Sequence, residues 1–167
     1  MAMWIKLLEV FWFFLPAAIA NLLPPIFGKI SYFNTPIDLG KKLKKAPIFG
    51  KSKTYKGFAV GIIGAIIVVY LQVLLYPYMI DYTILDYATT NIWLLGFLFG
   101  FGALFGDLVA SFFKRRIRIK SGSPWLFFDQ LDWVFGGLAF VSIYIGLNYK
   151  LVLGTILVYG ILHVLTR

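Results

Sequence analysis

Asp107 lies inside an apolar run of this 167-residue chain, and on a helix it shares a face with Ser111, Lys114 and Arg115, which follow at i+4, i+7 and i+8. A carboxylate in a membrane span costs roughly 2.5 to 3.5 kcal/mol at the centre, less near the edge, so it calls for a partner or an ion. One explanation is an ion pair that ties two helices; the other is a functional cluster. After the break Ser121, Gly122, Ser123, Pro124, the next helix opens with Asp129 and Asp132 at i and i+3, again on one face. A helix dipole accounts for an acidic residue in a first turn. It does not account for Asp107 or for the run Lys114, Arg115, Arg116. Three carboxylates that converge repel one another unless a cation neutralises them, and Mg²⁺, held by carboxylates and substrate phosphates, suits this set of hard oxygen donors. Cysteine is absent, and the single histidine, His163, reads as a packing or interface residue.

The elements that must position these groups are membrane helices. The chain is 60% hydrophobic and 14% charged, with a mean hydropathy of +0.85, more apolar surface than a soluble domain of this length can bury. Runs long enough for about 30 Å of hydrocarbon cover residues 4–27, 57–76, 92–110, 131–147 and 151–165, the last two shorter than the rest. The fold expected is therefore an all-α integral membrane protein, a single domain of about five transmembrane helices. Thirteen of the sixteen basic residues fall in two alternate loops, 28–56 and 111–130, whereas the loop between them carries Asp81 and Asp86 and no Lys or Arg. By the positive-inside rule both basic loops are cytoplasmic, with the N-terminus outside and the C-terminus, ending at Arg167, inside. The same clustering explains the formal charge of +9 without nucleic acid. Ala18, Ile19, Ala20 has the look of a signal cleavage site, but the segment before it is weakly basic and its removal breaks the parity.

Glycines at 57 and 61, 96 and 100, 102 and 106, and the pair Gly136 and Gly137, permit close helix approach, which is a matter of architecture. In the first basic loop Gly50, Lys51, Ser52, Lys53, Thr54 looks like the tail of a phosphate loop, yet Lys45 stands where the Walker pattern needs glycine. What remains is a loop of amines, hydroxyls and glycines able to grip phosphates, or simply to attract anionic headgroups.

The stretch Gly106, Asp107, Leu108, then Ser111, Phe112, then Lys114, Arg115, Arg116, followed by Asp129, Gln130, Leu131, Asp132, resembles the CDP-archaeol synthase family, archaeal relatives of the phosphatidate cytidylyltransferases. The early chain agrees, with Asn21, Pro24, Gly28, then Pro36, Asp38, Gly40, then Gly50, Lys51, Thr54, Gly57. The resemblance spans nearly the whole length, and the reduced glycine content before Asp129 favours the archaeal branch over the bacterial one.

That resemblance implies a membrane nucleotidyltransferase of phospholipid synthesis: CTP and 2,3-bis-O-geranylgeranylglycerol 1-phosphate give unsaturated CDP-archaeol and pyrophosphate. It implies Asp107, Asp129 and Asp132 as Mg²⁺ ligands, with Lys114 and Arg115 beside them in the catalytic set. Ser111, Arg116, Lys51, Lys53 and Thr54 become candidates for phosphate or nucleotide, and Asn21 and Asp38 match the family without an evident role. CTP would arrive from the cytoplasm and the ether lipid phosphate sideways from the inner leaflet. The competing classes are a CDP-diacylglycerol synthase acting on phosphatidate, a CDP-alcohol phosphotransferase, which should show a denser run of aspartates, and a transporter or scaffold, for which no internal duplication speaks.

Overall fold

The computed structural model describes residues 3–121, 123, 125 and 128–165, without the side chains of 3 and 163–165. Gly122, Pro124, Arg167 and the His163 side chain lie outside the described residues. Five helices, α1 (Met3–Phe27), α2 (Tyr55–Met79), α3 (Ile92–Arg116), α4 (Phe128–Tyr144) and α5 (Tyr149–Leu165), form a bundle. Among the described residues, Trp4–Phe27, Tyr55–Tyr82 and Ile92–Arg116 are long and apolar enough to cross a membrane. The five-helix membrane bundle expected from the sequence is the architecture found. At 17 residues each, α4 and α5 are shorter, roughly 25 Å at 1.5 Å per residue. α4 begins and ends three residues before the apolar run 131–147, so Asp129 and Asp132 both lie within its first turns. One departure from an all-helical chain is a hairpin in the first loop, β1 (Lys42–Leu43) against β2 (Ala46–Pro47).

Side-chain oxygens set the helix starts. Thr54 Oγ1 accepts from Gly57 N at 3.1 Å at the head of α2, and Asn91 Oδ1 accepts from Leu94 N at 3.1 Å at the head of α3. Asn148 does the same for α5 through Leu151 N, at 2.9 Å. Inside α1, Pro16 has no N–H for the Trp12 carbonyl. Buried Gln72 of α2 makes good the loss, donating to Trp12 O at 2.6 Å, and Tyr159 of α5 donates to Phe11 O at 2.6 Å. α1 is thus braced where it is weakest, beside a core in which Phe14 meets Phe99, Trp133 and Tyr159 at ring-centroid distances of 5.6, 5.8 and 5.4 Å.

α3 and α4 touch backbone to backbone. A Cβ on Gly102 would come within 2.8 Å of the Gly136 carbonyl oxygen, and one on Gly106 would strike the carbonyl of Asp132. Lipid supplies no hydrophobic drive for such contact, so small residues are what allow it. The seam sets Asp107 beside the first turns of α4. Gly96 and Gly100 pack in the same manner on Ile66 and Ile62 of α2.

Candidate active site

The charged stripe of α3, the head of α4, the end of α1 and the segment leading into α2 enclose a cavity of about 710 Å³. Ten of the twelve residues singled out from the sequence line it: Asn21 from α1; Lys51, Lys53 and Thr54 from the first loop; Asp107, Ser111, Lys114 and Arg115 from α3; Asp129 and Asp132 from α4. Helical periodicity is the reason, because positions 107, 111, 114 and 115 leave α3 on one side and the glycine seam presses that side toward Asp132.

Lys53 Nζ pairs with Asp107 Oδ2, and Lys114 Nζ reaches both oxygens of Asp129, at 2.9 and 2.7 Å. Asp129 also accepts from Trp125 N at 2.8 Å. Asp132 accepts from the N–H of Trp133 at 2.6 Å and pairs with no base among the described residues. Arg115 is buried, donates from Nη2 to Lys120 O at 3.2 Å, and leaves Nε without a partner. Among the described residues no three carboxylates close into a metal-holding group, and two of the three aspartates here carry a lysine ammonium instead.

Two expected residues are directed elsewhere. Arg116 donates to the carbonyl oxygens of Leu43, at 3.1 Å, and Pro47, and its guanidinium sits 4.9 Å from the Phe112 ring centroid, so it holds the hairpin against α3. Asp38 is buried and accepts from Gly40 N at 2.9 Å, Phe49 N at 2.9 Å and Gly50 N at 3.0 Å. Burial alone raises a carboxyl pKa; these N–H donors outweigh it and hold Asp38 below the usual range. Asp38 thereby fixes the turn from which Lys51, Ser52, Lys53 and Thr54 enter the cavity. Sequence reasoning missed three residues that line the cavity with polar side chains, Asn34, Ser52 and Ser123. Ser52 lay inside the flagged run Gly50–Thr54, whereas Asn34 carried no signal and is placed by its own bonds to Gly28 O and Ile30 O, at 3.3 and 2.9 Å.

A second, apolar groove of about 670 Å³ runs between α3 and α4, walled by side chains that include Phe105, Val109, Phe113, Phe135 and Ala139. Trp125 and Phe128 stack at 4.2 Å along its edge. Asp132 is the one described residue that lines both cavity and groove.

The family model for CarS-like CDP-archaeol synthase matches residues 3–167. The chain belongs to the CDP-archaeol synthase family. Among curated members, that of Pyrococcus furiosus is 39% identical over 135 residues, 80% of this chain and 74% of the relative. The CDP-archaeol synthase of Methanocaldococcus jannaschii is 37% identical over 149 residues, covering 85% and 79%, and that of Thermococcus onnurineus 43% over 136 residues, covering 81% and 74%. A solved structure described as an intramembrane enzyme for archaeal membrane lipids biosynthesis superposes with a TM-score of 0.76 at 29% identity, covering 96% of this chain and 93% of that one. Family membership thus takes in all five helices and both walls of the cavity.

Proposed function

We propose that the chain transfers CMP from CTP to the phosphate of 2,3-bis-O-geranylgeranylglycerol 1-phosphate, releasing pyrophosphate and leaving the unsaturated CDP-archaeol in the bilayer. The observation that carries this reading is the meeting of two unlike spaces at Asp132: a charged cavity of about 710 Å³ and an apolar groove of about 670 Å³. A lipid with a phosphate head is bound without desolvating the head or wetting the tails only where such spaces adjoin. The groove takes isoprenoid chains from the inner leaflet, and the cavity takes the nucleotide from the cytoplasm, the side on which both basic loops lie.

The lipid phosphate is already anionic at neutral pH, with a second pKa of about 6, so no general base has to generate the nucleophile. A phosphate oxygen of the lipid attacks the α-phosphorus of CTP. The new P–O bond forms as the bond to the bridging oxygen of the β-phosphate breaks, and the electron pair leaves with pyrophosphate. The protein's task is to hold crowded negative charge in line. Arg115, buried and with an unused N–H, suits a forked grip on phosphate oxygens. Lys53 and Lys114, now on aspartates, gain a second anionic partner when the triphosphate enters. Ser111, Lys51 and Thr54 supply further donors, and Asn21 faces the nucleotide from α1. Arg116 and Asp38 act by shaping the loop and touch no substrate.

Carboxylate oxygens from Asp107, Asp129 and Asp132 line one cavity, and Asp132 is not taken by a base; this donor set fits Mg²⁺. Bound there, the ion would neutralise the triphosphate and stabilise the departing pyrophosphate.

Purified protein in detergent, given CTP labelled in the α-phosphate, Mg²⁺ and the lipid phosphate, is expected to form lipid-linked CMP, and a chelator to stop it. No labelled lipid with the ether phosphate or with diacyl phosphatidate ends the enzyme reading; turnover with phosphatidate alone moves it to the diacyl class.

A further inference from the structure

The eight lysines of the first loop divide by destination. Lys51 and Lys53 line the cavity, and Lys56 donates to the carbonyls of Ile30 and Tyr32 at 2.6 and 2.9 Å. Lys29, Lys41, Lys42, Lys44 and Lys45 are exposed, and none of them pairs with a carboxylate among the described residues. Four of these stand on the hairpin. Its turn residues Lys44 and Lys45, at φ 49° and 68°, put two ammonium groups at the tip, with Leu39 and Leu43 exposed beside them. The acid adjacent in sequence, Asp38, is committed to backbone N–H groups. The hairpin is therefore a cationic surface with apolar side chains and no internal counter-charge.

Its level is fixed by α3. Arg116, in the last turn, holds the carbonyls of Leu43 and Pro47, and Phe49 lies 6.3 Å from Phe112. That turn still shows apolar side chains outward, with Phe113 53% and Ile117 54% exposed, just where arginines take over from the apolar helix. Such a transition marks the headgroup layer. Phe113 also lines the apolar groove, so the hairpin stands beside the groove's wall.

We infer that the hairpin 41–47 docks on the anionic lipid surface of the surrounding bilayer, with Lys41, Lys42, Lys44 and Lys45 on headgroup phosphates and Leu43 set into the interface. Juxtamembrane lysines are drawn to such a surface, and salt screens the attraction. Docking would concentrate anionic lipid beside the groove.

The chain has no cysteine, so Leu43→Cys carries a single environment-sensitive fluorophore on the full-length protein. In nanodiscs containing phosphatidylglycerol its emission is expected to shift to the blue, and quenching by acrylamide to fall about threefold relative to phosphatidylcholine discs. About 1 M salt should reverse both changes, and so should replacing the four hairpin lysines by Gln. Identical emission and quenching in the two lipids overturns the proposal, and that comparison needs no lysine variant. A lipid response that survives the four replacements also overturns it. Turnover of the four-Gln protein in neutral detergent should match the parent, since none of these lysines lines the cavity; its loss would place them in the active site and contradict a docking role.

Discussion

The charged cavity and the apolar groove are lined from the same two helices, and their contrast shows how one helix pair serves two solvents. On α3 the cavity takes positions 107, 111, 114 and 115, whereas the groove takes 105, 109 and 113. Residues two apart on a helix point about 200° away from each other, so a single helix separates a charged lining from an apolar one without a loop between them. The cavity needs partners from α1 and the first loop to close. The groove needs only α3, α4 and the aromatic pair Trp125 and Phe128. What joins them is Asp132, and what keeps them adjacent is the seam at Gly102, Gly106 and Gly136.

Breaking the junction should give the largest effect. Asp132→Asn keeps shape and removes charge; turnover is expected to fall about a thousandfold, some 4 kcal/mol of transition-state stabilisation, with the melting temperature little changed. Labelled-CTP kinetics and a thermal scan measure both, and turnover within tenfold of the parent would remove Asp132 from the mechanism. Next comes the seam. Gly106→Ala puts a Cβ onto the Asp132 carbonyl, an overpacking that costs about 1 to 3 kcal/mol and should lower kcat about a hundredfold by parting Asp107 from α4. If kcat is unaffected, the aspartates need not be held so closely.

Two further changes separate the regions. Filling the groove with Ala139→Trp should raise KM for the lipid phosphate about thirtyfold and leave KM for CTP alone, whereas Lys51→Ala should raise KM for CTP about tenfold and leave the lipid alone. Equal effects on both substrates would mean that cavity and groove are not separate sites. The smallest effect concerns the loop. Because the folded carboxyl of Asp38 is held below its ordinary value of about 3.9, its contribution is complete above that value and fades as pH falls through the folded pKa. Asp38→Asn should cost about 1 to 2 kcal/mol of stability at neutral pH and nearly nothing once the parent's Asp38 is protonated, as denaturation at several pH values would show.

The sequence disclosed the cavity better than the groove, for physical reasons. Ser111, Lys114 and Arg115 follow Asp107 at spacings that only a helix puts on one face, and Asp129 and Asp132 repeat the signal. Phe105, Val109 and Phe113 obey the same periodicity, but every outward face of a membrane helix is apolar, so nothing marks theirs as a groove until α4 is packed beside it. Arg116 shares the basic run with Arg115, but one residue further along turns a side chain by about 100°, here toward the hairpin. The hairpin itself was illegible because its turn is Lys44 and Lys45, where type I′ geometry ordinarily announces itself with Asn-Gly. Asn34 and Asp38 take their positions from loop backbone that no periodicity describes.

The most direct measurement is photolabelling of the two spaces at once. A lipid phosphate with a photoreactive group in an isoprenoid chain, irradiated with the protein and CTP, should attach to groove residues such as Val109, Phe113, Phe135 and Ala139, while a photoreactive CTP analogue labels 51–54 and the end of α1 around Asn21. Lipid adducts confined to the outward faces of α2 or α5, or both reagents on the same residues, would contradict a nucleotide cavity and a lipid groove that meet at Asp132.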